Sequence, residues 1–510
     1  MPATPAKILD AVRKSPGQRV KVAVVDIDGI LRGKSIHKDK FFSAVEGGFG
    51  FCNVVYGWDL HDVCYDNTTM TGWHKGFPDA LARIDLATHR NVPWDDNVDF
   101  FLGEFVMDDG KGNEVPFPLD GRQVLKRALK RADKLGVMPM CGLEFEWFNF
   151  AETPQSWADK RGVGPTPITP GMFGYSMLRT NQSREFFNAL FNEMAAFGIP
   201  LEGLHTETGP GVYEAAIVFS QALEAADRGV LYKTAAKEIG ARFGIMPSFM
   251  AKWSQQYPGC SGHCHQSLSD GKKNVFYDVK GRNSMSKVFE SYLAGQIKYL
   301  LDLAPMFWPT VNSYKRLVDG FWAPVKPTWG IDNRTASFRV LAGSPKSTRL
   351  ETRCPGADVN PYLAVAACIA AGLAGVEQNL KLTTKPIEGT NVGGENVARA
   401  PRSLIRAAMW PSPRCSRSNE AAWKQRATTS SGAGSARNAA YMGRPATSAL
   451  VAAFINRSVA RAKAGVSTCA ARIRRNAFAQ PSRRAAIAAS GVVVRQTFGT
   501  WRATSPGAKL

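Results

Sequence analysis

The chain is 510 residues long, 44% hydrophobic and 21% charged, a composition ordinary for a globular protein with material for more than one domain. A net charge of +21 invites a nucleic-acid reading, but 20 of the 64 Lys and Arg and a single acid, Glu420, lie at 398–510. That stretch carries +19, which leaves +2 on the rest of the chain and excludes a uniformly basic, nucleic-acid-binding body.

The first 20 residues mix charges with short apolar pieces and hold no continuous hydrophobic run, so no secretory signal is expected. RVKVAVVDIDGILRGKSI at 19–36 alternates apolar and polar positions around an Asp-Gly turn at 28 and 29, which predicts a hairpin. ALARIDL and DFFLGEFVMDD are further strand candidates, and together they predict a small strand-rich domain over 17–110. DDGKGNEVPFP at 108–118 has turn and linker chemistry and marks a domain boundary. RQVLKRALKRADKLG then predicts a helix, with Val124, Leu125, Ala128, Leu129, Ala132 and Leu135 on one face and Gly136 as its stop. The strand GLEFEWF follows, then helices near 184–197 and 220–243 and the strand-like FGIMPSFMAKW. AVAACIAAGLAGV at 364–376 is too short and too rich in Ala and Gly for a membrane span and predicts a packed core helix. Intermixed helices and strands over 113–397 predict an α+β catalytic body. Beyond 397 Arg, Ala and Ser dominate without periodicity. The stretch 398–510 reads either as a basic nucleic-acid-binding tail or as peptide not selected to fold, and the absence of RGG repeats and basic blocks favours the second. Nine cysteines without regular spacing point to a reducing compartment, the cytoplasm.

Successive side chains of a strand point to opposite faces, so in GLEFEWF the carboxylates of Glu144 and Glu146 share one face while Leu143, Phe145 and Trp147 share the other. The oddity recurs: His205, Glu207 and Glu214 lie in LHTETGPGVYE, and His263, His265 and Ser267 share a parity in PGCSGHCHQSL. Arg349, Glu351 and Arg353 share a parity in RLETR, as do Thr335, Ser337 and Arg339 in TASFRV. Each alone reads more simply as a solvated sheet face, and CSGHCH lacks the second ligand pair that a zinc site needs. Together, five carboxylates and an imidazole predict hard cations such as Mg²⁺ or Mn²⁺, and converging arginines predict phosphate. These are the ingredients of phosphoryl transfer.

The ordered motifs LEFEWF, HTETGPGVYE, YPGCSGHCHQS, NSYKRLVDGFWAP, DNRTASFRV and SPKSTRLETRCPGADVNPYLA resemble the glutamine synthetase family, over about residues 17–395. The resemblance implies an N-terminal β-grasp domain followed by a catalytic domain whose curved antiparallel sheet lines the active site. It also implies a ring-shaped homo-oligomer with active sites between subunits. Glu146, Glu207 and Glu214 match the ligands of one Mg²⁺ or Mn²⁺ ion, and Glu144, His263 and Glu351 those of the other. Gly259, Arg316 and Arg353 match positions that hold substrate glutamate. Arg334, Arg339 and Lys346 match positions around the ATP phosphates, and Phe219, His265 and Ser267 fall at nucleotide positions. The neighbouring subunit should supply one of Asp59, Asp62 and Asp66 from GWDLHDVCYD.

The implied reaction joins the γ-carboxylate of glutamate to ammonia or a primary amine through a γ-glutamyl phosphate, at the expense of ATP. Two departures stand out. Where glutamine synthetases carry a flap Glu that binds ammonium and takes its proton, this chain has Trp322. Trp has no carboxylate and its ring can face an alkyl or aryl amine, which favours an organic amine and a γ-glutamylamide product. Nothing after 397 resembles the family's ending. The competing readings are a catalytically dead member with a binding or structural role, against which the full metal and arginine set argues, and a nucleic-acid binder driven by its tail.

Overall fold

Val20, Val22 and Val24 are fully buried on one side of their strand while Ala23 and Val25 are buried on the other, so the first strand is covered on both faces. It belongs to a computed structural model that describes residues 3–390, apart from 66, 67 and 162. The expectations for 398–510 and for Asp66 therefore lie outside the described residues.

The N-terminal sheet consists of β1 (Arg19–Val25), β2 (Leu31–His37), β3 (Phe49–Cys52), β4 (Asp79–Ile84), β5 (Arg90–Val92), β6 (Val98–Asp108) and β7 (Glu114–Pro116). Its order is β2-β1-β6-β4-β3, with β5 and β7 also on β6 and β1 parallel to β6. The Asp-Gly hairpin forms, with Gly29 at φ +83° where a Cβ would come within 2.9 Å of the Asn360 backbone. The core on one face takes Val20, Val22, Val24, Phe101 and Phe105 together with Ile8 and Val12 of helix Pro5–Lys14, which lies ahead of residue 17. The other face sends Ala23, Val25, Phe100 and Leu102 into the larger core that continues under the second sheet. The turn expected within 108–118 forms, and it closes a hairpin from β6 to β7. Asp108 and Asp109 side chains accept backbone N–H groups across the turn, and Gly110 and Gly112 take left-handed φ.

The second sheet holds β8 (Met138–Phe150), β9 (Leu201–Thr206), β10 (Val212–Ile217), β11 (Ser220–Gln221), β12 (Met246–Ser248), β13 (Gly262–Ser269), β14 (Trp329–Ile331), β15 (Phe338–Leu341) and β16 (Arg349–Thr352). Its order is β14-β15-β16-β13-β8-β10-β9, with β11 and β12 also on β8. All pairings are antiparallel except β14 with β15. Helices Gly121–Lys134, Ala222–Ala241, Lys287–Tyr299 and Pro361–Glu377 cover one face. The last is buried from Pro361 to Val376, as a core helix requires. Among the described residues no helix is long and apolar enough to cross a membrane.

One buried charge cluster ties these pieces together. Arg122, 3% exposed, pairs with Asp227 at 2.9 Å, with Glu104 of β6 at 2.9 Å and with Asp85 at 2.8 Å. Tyr362 OH donates to Asp227 Oδ1 at 2.6 Å. Removing a single member of such a cluster leaves its partners charged and dry. Arg122→Met is expected to lower stability by about 3–5 kcal/mol in chemical denaturation, and Arg122→Met with Asp227→Leu to recover part of that loss.

Candidate active site

The register of the sheet aligns the polar faces of six strands. On β8 and β13 His263 stands opposite Glu144, and on β10 Glu214 stands opposite Glu146. On β16 Glu351 stands between His265 of β13 and Arg339 of β15. On β9 His205 stands opposite Glu214, its Nε2 3.6 Å from Glu214 Oε1. The covered side of the same strands is apolar: Leu143, Phe145 and Trp147 are at most 4% exposed, and the two aromatic rings pack on Tyr232 and Phe249.

Glu144, His263, His265 and Glu351 form one cluster. His263 Nδ1 lies 3.3 Å from Glu144 Oε2 and 3.5 Å from Glu351 Oε1, and His265 Nε2 lies 3.1 Å from Glu144 Oε1. One ligand atom each from Glu144, His265 and Glu351 falls within 4.8 Å of the others, so both imidazoles face this space. Arg349 Nε donates to His265 Nδ1 at 3.1 Å, which leaves the imidazole proton on Nε2, towards Glu144. Burial pushes the Glu144 carboxyl up, but His265 and His263 outweigh it and hold it well below the usual range. Burial acts on Glu351 in the same way, and Arg353, His263 and His265 bring it down to about 2.

Glu146, Glu207 and Glu214 form the neighbouring cluster, and it has fewer cations. Burial first, then the charges of Glu146, Glu144 and Glu207, push Glu214 well above the usual carboxylate range. Glu146 Oε2 accepts the Ser261 N–H at 2.6 Å, and Glu207 Oε2 accepts the Thr208 N–H at 2.6 Å.

Arginines close one end of the row. Arg339 Nη1 donates to Glu351 Oε2 at 2.8 Å and its Nε to Asp332 Oδ1 at 2.9 Å, while Arg353 pairs with the other Glu351 oxygen. Arg353 lies just beyond β16, and Thr335 and Ser337 lie ahead of β15, so parity arguments for these residues run onto irregular backbone. Arg353 Nε donates to the Arg334 carbonyl at 3.0 Å. Arg316 is 1% exposed and donates to Cys354 O, Ser261 Oγ and Arg353 O at 3.0, 2.8 and 3.2 Å, beneath the surface of the site. Gly259 is pressed against Arg316, and a Cβ there would meet Ala251 O at 2.2 Å.

The other residues singled out from sequence stand at the periphery. Ser267 is half-buried on β13, Lys346 and Arg334 are exposed on loops, and Phe219 is 64% exposed against Gly142 of β8. Trp322 is 57% exposed at φ +61°, a conformation rare for a bulky side chain. Asp59 is 4% exposed and accepts the N–H groups of His61 and Val63, and Asp62 pairs with Arg32 at 2.8 Å.

Sequence reasoning missed Tyr175. Its N–H donates to Thr206 O at 2.7 Å, which straps it to β9 beside the Glu207 and Glu214 charges. Burial and then the Glu207 and Glu214 charges raise it to about 12. PGMFGYSML carries neither helical nor strand periodicity, and the left-handed φ of Tyr175, 57°, leaves no mark in the sequence.

The donor set fits divalent cations. Two carboxylates converge within a few Å beside imidazoles, and His263 Nε2 is buried with no hydrogen-bond partner among the described residues.

Comparison with known proteins agrees. The family model for the catalytic domain of glutamine synthetase matches residues 118–408. Type-1 glutamine synthetase 2 of Dictyostelium discoideum is 50% identical over 402 residues, 78% of this chain and 76% of its own. A glutamate–isopropylamine ligase from a Pseudomonas species is 35% identical over 74% of this chain and 81% of its own. A γ-glutamylethanolamide synthetase of Streptomyces coelicolor is 36% identical over 77% and 83%. The solved structure of GmaS with ADP has the same fold, at a TM-score of 0.69 and 24% identity, over 94% of this chain and 99% of that one. The chain belongs to the glutamine synthetase family.

Proposed function

We propose that this glutamine synthetase-family ligase joins the γ-carboxylate of glutamate to a primary organic amine, with ATP as co-substrate and Mg²⁺ or Mn²⁺ as cofactor. The observation that carries the reading is the single row in which Glu144, Glu146, Glu214 and Glu351 meet Arg339 and Arg353 across adjoining strands. Glu146, Glu207 and Glu214 would hold one ion, and Glu144, His263 and Glu351 another. When bound there, such cations supply positive charge to phosphoryl oxygens. Arg339, Arg334 and Lys346 would meet the ATP phosphates, and Phe219, His265 and Ser267 the rest of the nucleotide. Arg353 and Gly259 would receive the glutamate. Arg316, sealed below, would act on it through Ser261 and the Arg353 backbone.

The γ-carboxylate oxygen attacks the γ-phosphorus of ATP, ADP leaves, and a γ-glutamyl phosphate forms. The amine then attacks the acyl carbon, phosphate departs, and a proton leaves the new amide nitrogen. The β-grasp and catalytic domains would assemble into a cytoplasmic ring in which Asp59, Asp62 or Asp66 of a neighbour completes each site. Asp59 and Asp62 already have partners within their own chain.

Trp322 at the flap position supports an organic amine, as do the names of the isopropylamine and ethanolamide relatives. The relative at 50% identity is named a glutamine synthetase, which favours ammonia. A panel of amines separates the two. Methylamine or a larger amine is expected to exceed ammonia in kcat/KM, and Trp322→Glu to shift the preference towards ammonia. A wild-type preference for ammonia of about tenfold or more would sink the organic-amine reading.

The acidic cluster yields a second expectation. Saturating Mg²⁺ should raise Tm, by about 2.7 kcal/mol of stability at a hundred times Kd. Glu214→Gln removes a repelling carboxyl, so it should raise the Tm of the metal-free protein while cutting the metal-dependent rise to less than half. A wild type whose Tm ignores Mg²⁺ and Mn²⁺ would count against the metal assignment.

A further inference from the structure

On the side of β13 and β16 away from the carboxylates, three buried side chains close a ring of hydrogen bonds. Gln266 Nε2 donates to Thr352 Oγ1 at 2.9 Å, Thr352 Oγ1 donates to Gln296 Oε1 at 2.7 Å, and Gln296 Nε2 donates to Gln266 Oε1 at 2.6 Å. The remaining groups are satisfied as well. Gln266 Nε2 reaches Cys264 O and Gln296 Nε2 reaches Cys368 O, each at 3.1 Å, and Tyr292 OH donates to Gln266 Oε1 at 2.8 Å. All four residues are at most 3% exposed. Turning either amide over would set donor against donor in a dry core, so the ring has one arrangement.

Its position gives it a use. Gln266 follows His265 in β13, and Thr352 follows Glu351 in β16. The two strands pair over only three positions, Cys264 with Thr352, His265 with Glu351 and Gln266 with Leu350. A slip of two residues would keep every side chain on its own face while carrying Glu351 about 7 Å along the strand. On the carboxylate face the Arg349–His265 hydrogen bond and the His263–Glu351 contact also span the two strands, while Glu144 and Glu351 repel each other in the absence of a cation. Gln296, on helix Lys287–Tyr299, anchors both strands to the helical layer.

We infer that Gln266, Thr352 and Gln296 are positioning residues that fix the distance between the imidazoles of β13 and Glu351, and through it the affinity of that cluster for a divalent cation. The inference rests on the metal reading given above. Residues behind a metal's ligands commonly change affinity by about 10–100-fold when replaced, because ligand orientation is lost with them.

The test is Mn²⁺ binding to the full-length, nucleotide-free protein, followed by the electron paramagnetic resonance of free Mn²⁺, with the metal-free Tm recorded alongside. Thr352→Val keeps the shape and removes the hydroxyl, and it is expected to weaken Mn²⁺ binding about tenfold, while Thr352→Ser restores it to within about twofold. Gln296→Met leaves both strands unaltered and serves if Thr352→Val does not fold, with an expected loss of about threefold. Unchanged Mn²⁺ affinity in a folded variant, even with a lowered Tm, would make the ring a core fastening only and overturn the inference. Glu351→Gln is the control for the metal reading. A wild type that binds no Mn²⁺, or a Glu351→Gln variant that binds it like the wild type, overturns that reading and the inference with it. Normal wild-type binding lost in Glu351→Gln but kept in Thr352→Val defeats the inference alone.

Discussion

Carboxylates two residues apart on one strand cannot be buried side by side unless positive charge comes to meet them. In this protein Glu144 and Glu146 occupy the middle of β8, and their neighbours across the ladder are His263 and Glu214. The geometry of the sheet thus concentrates negative charge along one face. Isolated burial of such charges costs several kcal/mol per ion. The protein answers with Arg339 and Arg353 on Glu351, and two imidazoles lie against Glu144. At Glu214 it leaves the repulsion standing. The row runs from cation-rich to cation-poor, and the poor end is where an exogenous cation gains most.

The opposite face carries the mechanical load. Phe145 and Trp147 pack on Tyr232 and Phe249, and β13 and β16 are tied through amides and a hydroxyl to the helices behind them. Each strand therefore brings two unlike surfaces, and the hydrophobic driving force of one holds the unfavourable electrostatics of the other in place. The Arg122 cluster extends the same logic to the join between the N-terminal sheet and the catalytic body.

Much of this was legible in the sequence because period-two alternation is a strong local signal. GLEFEWF displays its two faces without ambiguity, and the hairpin at 19–37 carries its turn in the Asp-Gly pair. The family motifs then placed those faces on one curved antiparallel sheet, which local pattern cannot do. What escaped depends on contacts distant in sequence or on backbone conformation. Tyr175 comes under the charge of Glu207 because an irregular segment is strapped to β9. Arg349 was seen on the right face, but its partner His265 lies 84 residues away. The stretch at 108–118 contains linker residues and still folds back on β6, since Asp and Gly serve a tight turn as well as a linker.

The two-faced character of β8 also bears on how the gene can change. The strand pairs with β13 over eight positions and with β10 over five. Deleting one codon within it would exchange the faces of everything beyond the cut, setting a glutamate among Tyr232 and Phe249 and a phenylalanine among the carboxylates. No single later substitution repairs that, because every side chain past the lesion is displaced at once. Point changes can be tried one at a time along this strand, whereas changes of length cannot. In descendants of this gene the spelling of β8 is free to drift while its residue count is not, and insertions and deletions are confined to loops such as the one from 342 to 347, whose residues are exposed.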